Sequence, residues 1–194
     1  MNYSIIGSGN VGTALARQFA RSNIDVAIAN SRGVSSLAPL VAELKGKIRA
    51  VNLSEALEAD MVILAVPFPA FPNVARTKTN WSGQIIIDAM NRREKVSGPM
   101  SSEVVAGEFP GAKVVKAFNQ LPAALLAIDP SQAGGRRVMF VSSNDADASA
   151  TVAKLARQLG FAPIELGRLD ESGRLLQFHG PLVLHNLIEH EFEG

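Results

Sequence analysis

Apolar runs of strand length alternate along this chain with segments in which apolar residues recur at helical spacing. Strands are predicted at residues 3–6, 26–29, 48–51, 61–66, 84–88, 113–117, 137–142 and 162–166. Helices are predicted at residues 10–22, 35–44, 52–60 and 146–159. This alternation is typical of a parallel sheet with helices on both faces. We therefore predict an α/β fold built on a doubly wound, mostly parallel sheet.

The C-terminal end departs from this alternation. Residues 168–194 are predicted to form a small helical addition, with helical residues 170–191 interrupted at the His-Gly-Pro sequence of residues 179–181. No repeat, low-complexity tract or linker divides the chain, so we expect residues 1–194 to form one domain. The longest predicted loop covers residues 91–112, and loops of that length often act as lids.

Composition narrows the classes of partner. The 194 residues are 47% hydrophobic and 19% charged, which suits a packed globular core. The net charge is +1, so no broad electrostatic field favours nucleic acid or an anionic membrane. The chain has no cysteine, which excludes disulfides, thiolate metal sites and thiol nucleophiles. The chain starts without a basic leader followed by an apolar stretch, so we expect a cytoplasmic protein. Together with the low net charge, this leads us to expect neither nucleic acid nor a membrane as partner.

Three glycines after the first predicted strand point to a nucleotide. Gly7, Gly9 and Gly12 form G-x-G-x-x-G between a strand and a helix. In this arrangement the first glycine permits a tight turn, the second leaves room for a diphosphate, and the third lets helix and strand pack closely. The helix N-terminus offers unpaired N–H groups to the anion. The sequence therefore predicts a dinucleotide site, although glycines could also simply join the strand to the helix.

The end of the second strand indicates which dinucleotide is bound. An NAD-binding site commonly places Asp or Glu there, against the ribose 2′-hydroxyl. This chain has Asn30, Ser31 and Arg32 instead. A carboxylate would repel a 2′-phosphate, whereas Ser31 can donate a hydrogen bond and Arg32 a charge-assisted pair. We predict NADP(H); the alternative is a solvated arginine beside a turn-forming Asn-Ser pair.

Several segments, in order, resemble the NADP oxidoreductase, coenzyme F-420-dependent family. They are "IIGSGNVGTALA" from residue 5, "NSRG" from residue 30, "VILAVPFPA" from residue 62, "VVKAFNQLPA" from residue 114 and "GGRRVMFVSSNDADA" from residue 134. The resemblance runs from about residue 2 to "GRLLQFHGPLVLHNLI", which ends at residue 188. It implies a Rossmann-type domain with a small C-terminal addition, an NADP(H) site and, commonly, a homodimer.

The resemblance also implies roles for individual residues. The cofactor contacts fall into a diphosphate loop, a 2′-phosphate site and an edge under the nicotinamide ribose. These groups are, respectively, Gly7, Ser8, Gly9, Asn10, Val11 and Gly12; Ser31 and Arg32; and Val66 and Pro67. Asn30 and Ala65, next to the second and third groups, are also predicted to bind the cofactor. The family places a deazaflavin or flavin-type acceptor near "KAFNQLPA", so Ala117, Phe118, Asn119 and Pro122 are the predicted acceptor-binding residues. The alternative is that Phe118 is ordinary core and Asn119 caps the following helix.

One segment departs from the family pattern. Where such proteins often read "DATNP" after the fifth strand, this chain reads "DAMNRR" over residues 88–93. Arg92 therefore replaces the proline, and Arg93 stands beside it. The two arginines could attract an anionic acceptor tail or be solvated surface residues.

Hydride transfer between two rings is chemistry of the cofactor, so the protein supplies position and water exclusion rather than a general base. We accordingly predict no catalytic residue. His179, His185 and His190 lie in the tail outside any metal or triad pattern, and we predict no metal, even though His185 and Glu189 would share a helical face.

The predicted function is NADPH-dependent hydride transfer to a small-molecule deazaflavin (coenzyme F-420) or flavin acceptor. One alternative is a flavin or ferric reductase that uses free FMN or FAD, and another is an NADP(H)-binding sensor without turnover. Imine and hydroxy-acid reductases usually add a large helical domain, for which few residues remain after the dinucleotide half, so the sequence argues against them.

Overall fold

The computed structural model describes residues 1–94 and 98–190. The strands are β1 (Tyr3–Ile6), β2 (Val26–Ala29), β3 (Ile48–Ala50), β4 (Met61–Leu64), β5 (Ile85–Asp88), β6 (Lys113–Lys116), β7 (Ser131–Gln132), β8 (Gly135–Ser143), β9 (Ala162–Glu165) and β10 (Ile188–Glu189). The α-helices are α1 (Asn10–Arg21), α2 (Ala38–Glu43), α3 (Leu53–Ala56), α4 (Phe71–Ala75), α5 (Ser101–Glu108), α6 (Ala123–Leu126), α7 (Ala146–Gln158) and α8 (Leu169–Leu176). Short 3-10 turns precede α2 and α4, at Val34–Leu37 and Phe68–Ala70.

The sheet has the strand order that places a crevice between its two halves. From one edge the order is β3-β2-β1-β4-β5-β6, and all five of these pairings are parallel. The order reverses between β1 and β4, and ligands of such sheets bind outside the carboxyl ends of the strands at that reversal. Beyond β6, strand β8 pairs antiparallel and carries β9 parallel to itself. The predicted Rossmann-type, doubly wound, mostly parallel fold is confirmed.

Alternate residues of the central strands enter two separate cores, one on each face of the sheet. Ile63 packs with α1 and α7 residues on one face, and its neighbour Leu64 packs with residues of α4 and α5 on the other. Both side chains are completely buried. Strands that are covered on both faces have continuous apolar sequences. This is why the stretch "MVIL" predicted a central strand.

The C-terminal tail is only partly helical. Helix α8 occupies its first part, but the second predicted helical stretch is wrong, because the chain there forms turns and then pairs β10 antiparallel with β8. His185 and Glu189 therefore do not share a helix face. Residues 191–194 lie outside the described part of the chain, and the assignment of residues 1–194 to one domain stays a prediction.

The predicted long loop at residues 91–112 contains a helix. Helix α5 begins after Met100, whose backbone N–H donates to the Glu103 carboxylate at 2.7 Å. Val105 and Phe109 are buried, and the Phe109 ring packs edge-on against Trp81 with centroids 4.9 Å apart. This apolar face ties residues 101–109 to the core and leaves only the beginning of the segment beside the crevice. Residues 95–97, which belong to the predicted lid, lie outside the described residues.

No helix in the described part of the chain combines the length and apolar character needed to cross a membrane.

Candidate active site

The glycine loop connects β1 to α1 at the reversal of strand order. Gly7 has a φ of +110°, and its N–H donates to the Ala29 carbonyl at 2.8 Å. A Cβ at Gly7 would overlap the carbonyl oxygen of Ala65, and a Cβ at Gly12 would overlap that of Gly7. Both glycines are therefore required by the close approach of β1, α1 and the end of β4.

Gly9 has a different role from its two neighbours. A Cβ there would meet nothing within 4 Å, so packing within the protein does not explain its lack of a side chain. It precedes α1, whose first turn has no acidic residue and whose N-terminus has no side-chain cap. The unpaired N–H groups and the helix dipole thus face the open space over Gly9, which suits a diphosphate. The residues present fit the predicted dinucleotide.

The loop after β2 forms a polar cluster without a carboxylate. The Asn30 side-chain amide donates to the Ser8 hydroxyl at 2.8 Å, and the Arg32 guanidinium donates to the same hydroxyl at 3.0 Å. The Arg32 backbone N–H donates to the Asn30 side-chain oxygen at 3.0 Å. Ser31 and Arg32 are exposed. The cluster holds a cation beside the glycine loop, where a 2′-phosphate needs one.

A cleft of about 440 Å³ opens at the carboxyl ends of β4 and β5. Its walls are mostly apolar, and they include Val11 of the glycine loop together with two segments that follow the strands. The lining residues are Val11, Ala65, Val66, Pro67, Phe68, Pro69, Ala89, Met90, Asn91, Arg93 and Glu94. The cleft thus contains Val66 and Pro67, which are predicted to lie under the nicotinamide ribose, and the predicted cofactor-binding residue Ala65. An apolar cleft with a few polar groups at this reversal is the usual place for a cofactor ring.

A buried ion pair holds the turn that forms the far wall of the cleft. Lys116 of β6 and Asp88 of β5 are 2% and 0% exposed, and their charged groups are 3.1 Å apart. The Lys116 ammonium also donates to the Met90 carbonyl at 2.6 Å, and the Asp88 carboxylate accepts from the Met90 N–H and the Ser102 hydroxyl. Both charges are therefore satisfied by the backbone of this turn, which fixes its shape.

Asn91 and Asn119 form a reciprocal amide pair behind the same wall. The Asn91 side chain donates to the Asn119 carbonyl at 2.9 Å, and the Asn119 side chain donates to the Asn91 side-chain oxygen at 3.0 Å. Asn119 also donates to the Leu176 carbonyl of α8 at 2.7 Å and is 3% exposed. Asn119 reaches the cleft only through Asn91, so its contribution to the cleft is indirect in this arrangement.

The other predicted acceptor residues are spread over different environments. Ala117 and Phe118 are fully buried, and the Phe118 ring packs edge-on against Phe161 with centroids 6.3 Å apart, inside the core rather than at the cleft. Phe118 has a φ of +61°, which costs energy in a residue with a side chain. Pro122 is exposed and precedes α6. The assigned cofactor and acceptor contacts stay predictions.

Sequence reasoning did not single out Phe68, Met90, Asn91 or Lys116. The sequence did contain a signal for Lys116. A lysine ends one predicted strand and an aspartate ends the preceding strand, and in the parallel pairing of β5 and β6 these residues, Asp88 and Lys116, lie opposite each other. Within the described residues, no three His, Asp or Glu side chains are grouped to hold a metal ion.

The fold and the glycine loop define a Rossmann-type dinucleotide-binding protein. Residues 2–92 match the family model described as NADP oxidoreductase coenzyme F420-dependent. This segment is slightly less than half of the chain, and over it the predicted resemblance to the family is confirmed. By its description the matched family consists of NADP-dependent oxidoreductases, which supports the predicted class of enzyme and NADP(H) as the nucleotide.

Two solved structures are similar over nearly the whole chain. A hypothetical protein, SMa0349, from Sinorhizobium meliloti is 45% identical with a TM-score of 0.94, and the match covers 97% of this chain and 96% of that one. A candidate F420-dependent NADP-reductase from Arthrobacter sp. FB24 is 25% identical with a TM-score of 0.75, covering 92% of this chain and 89% of that one.

Among curated proteins, the chain is similar to the metalloreductase STEAP3 of Rattus norvegicus. The two are 28% identical over 170 residues, which is 85% of this chain and 33% of the relative. The chain thus spans about a third of the length of the curated relatives that it matches.

Proposed function

We propose that this protein transfers a hydride between NADP(H) and a small-molecule acceptor of the deazaflavin or flavin type. The observation that carries the proposal is the pairing of an acid-free cluster at Asn30 and Arg32 with an apolar cleft at the strand-order reversal. The cluster favours a 2′-phosphate, and the cleft suits an aromatic ring next to the nicotinamide.

The chain's own residues supply binding and orientation. The N–H groups that begin α1 would hold the diphosphate, Asn30, Ser31 and Arg32 the 2′-phosphate, and Val66 with Pro67 the ribose edge. The apolar walls exclude water from the reacting rings, which suppresses side reactions. A bound NADPH would supply a hydride, that is, two electrons and one proton, to the acceptor. NADP⁺ would remain, and the reduced acceptor would take up one further proton from water.

The test is anaerobic oxidation of NADPH by the purified protein, with the deazaflavin coenzyme and FMN as parallel acceptors and NADH as the control donor. We expect NADPH-selective reduction of one of these acceptors. The matched control is Gly9→Ala, whose added methyl group enters open space in the protein but would occupy the proposed diphosphate position. Tight NADPH binding without turnover on either acceptor would favour the NADP(H) sensor instead.

A second candidate is reduction of metal ions through a free flavin. It is motivated by the 28% identity with metalloreductase STEAP3. In this reaction one reduced FMN or FAD would pass its two electrons to two ferric ions. Adding a ferric chelate to the NADPH and FMN mixture tests it: formation of Fe(II) that depends on the protein supports this candidate, and its absence removes it.

Three statements about the protein's assembly, location and partner stay predictions from the sequence. They are the homodimer, the cytoplasmic location, and a small molecule rather than nucleic acid or a membrane as partner.

A further inference from the structure

The rim of the cleft carries two adjacent arginines beside mostly apolar walls. Arg92 is half-buried, and its guanidinium carbon lies 5.4 Å from the centroid of the Phe68 ring, a cation–π contact. Arg93 is exposed and lines the cleft, as does Glu94. One guanidinium is thus packed on an aromatic ring of the wall, and the other is accessible to whatever enters.

Among the described residues, no ion pair neutralises these two positive charges. Over residues 1–94 and 98–190, the pairs within 4.0 Å involve neither Arg92 nor Arg93. Glu94 supplies one negative charge at the rim against two positive ones. An apolar wall below such a rim suits a molecule with an aromatic ring and an anionic tail.

Arg93 is distinct from the cation already assigned to the cofactor. Arg32 donates to Ser8 next to the glycine loop and does not line the cleft, whereas Arg93 lies among the residues that follow β5. A cofactor phosphate held by Arg32 therefore leaves Arg93 available to a second ligand.

We propose that Arg93, supported by Arg92, binds a phosphate ester on the tail of the hydride acceptor. The planar guanidinium is suited to phosphate because it offers paired N–H donors and a fixed positive charge. This inference rests on the proposed function, since it names the acceptor class for that same cleft: a phosphorylated flavin or deazaflavin rather than the uncharged dephosphorylated ring.

The test compares FMN with riboflavin, which share the ring system and differ in the phosphate. Dissociation constants are measured by flavin fluorescence quenching in the presence of saturating NADP⁺, so that no turnover is needed. We expect the wild-type protein to prefer FMN. Arg93→Gln should weaken FMN binding by about ten-fold, the lower end for a hydrogen bond to a charged group, and leave riboflavin nearly unchanged.

Two further variants control for charge and position. Arg93→Lys keeps the positive charge and should retain most of the FMN preference. Arg157→Gln removes an exposed arginine from α7, outside the cleft, and should leave the preference unchanged. Because Arg93 is exposed, its replacement should not affect folding, and an unchanged melting temperature checks this.

The inference is overturned if the wild-type protein shows no preference for FMN, including failure to bind either flavin, or if Arg93→Gln leaves the preference intact. It is also overturned if Arg93→Gln weakens NADPH by the same factor as FMN, since Arg93 would then belong to the cofactor site. Failure of the proposed function gives a different result. In that case NADPH is not oxidised with any acceptor, whether or not the protein prefers FMN to riboflavin in binding.

Discussion

The glycine loop and the turn after β5 place polar groups at the same edge of the sheet by different means. At the loop, Gly7 and Gly12 set the geometry through backbone contacts that leave no room for a Cβ. At the turn, the geometry depends on side chains from separate strands, above all the buried pair of Lys116 and Asp88. A site built from backbone tolerates changes in its exposed side chains, whereas one built from buried side chains depends on each partner.

The largest effect is expected from Lys116→Met. It leaves the Asp88 carboxylate buried without its cation, which typically costs about 3–5 kcal/mol of unfolding free energy. The turn after β5 loses its anchor at the same time, because Lys116 also donates to the Met90 carbonyl. Urea unfolding monitored by circular dichroism measures the loss.

Lys113→Met is the matched control on the same strand. Lys113 also forms an ion pair, with Asp145 at 2.9 Å, but its side chain is 38% exposed and solvent screens the pair, so the loss should be much smaller than for Lys116→Met. The double variant Asp88→Asn with Lys116→Met should recover most of the stability, since no buried charge remains. Equal losses from the two lysine substitutions would contradict the importance assigned to burial.

The next largest effect is expected from Gly12→Ala, which tests the glycine loop, where the backbone sets the geometry. The added methyl group meets the Gly7 carbonyl, and such overpacking costs about 1–3 kcal/mol. Gly9→Ala adds the same methyl group in open space, so it should leave stability unchanged while weakening NADPH binding. Thermal unfolding and calorimetric titration of NADPH separate the two effects. A large loss of stability in Gly9→Ala would show that its role is not confined to the nucleotide.

The same difference explains what could be predicted from the sequence. The parallel sheet could be predicted because strands buried on both faces have continuous apolar sequences. The glycine loop could be predicted because its glycines follow a strand at fixed spacing. Both signals are local. They predicted the fold, and they indicate a nucleotide site at the glycine loop, which stays a prediction.

Contacts between distant residues could not be predicted in this way. Asn91 and Asn119 are 28 residues apart, and nothing in either segment alone indicates that their amides pair. The ring of Phe118 illustrates the same limit, because a buried aromatic and a ligand-stacking aromatic look alike in sequence. In the tail, the short strand β10 exists through its pairing with β8, so local helical spacing was misleading there.

An effect of similar size, confined to nucleotide binding, is expected from Arg32→Ala. Removal of the guanidinium should weaken NADPH binding by about 1.5–3 kcal/mol, the range for a hydrogen bond to a charged group. NADH lacks the 2′-phosphate, so its affinity should be nearly unchanged. Calorimetric titration with both nucleotides checks this, and equal losses for the two would remove Arg32 from the 2′-phosphate site. Because Arg32 is exposed, stability should not change.

The smallest effect is expected at Asp145, which lies on neither side of the cleft. Its carboxylate caps α7 by accepting from the Ala148 N–H at 2.8 Å, and that hydrogen bond, followed by the Lys113 ammonium, lowers the pKa of Asp145 below its usual 3.8. Asp145→Ala should cost about 1 kcal/mol at neutral pH, as expected for loss of an N-cap.

The lowered pKa fixes how this cost depends on pH. The charged carboxylate contributes its stability above about pH 4, and that contribution is lost as the pH falls through the lowered pKa, since the folded state must then take up a proton. The difference between the wild-type protein and Asp145→Ala should therefore shrink in acid, while Asp145→Asn, which caps without titrating, should not show this loss. Unfolding at neutral and acidic pH measures both. NADPH affinity and flavin preference should stay constant in both variants. The helix cap at Asp145 supports α7 and the sheet, and it contacts neither the glycine loop nor the turn after β5.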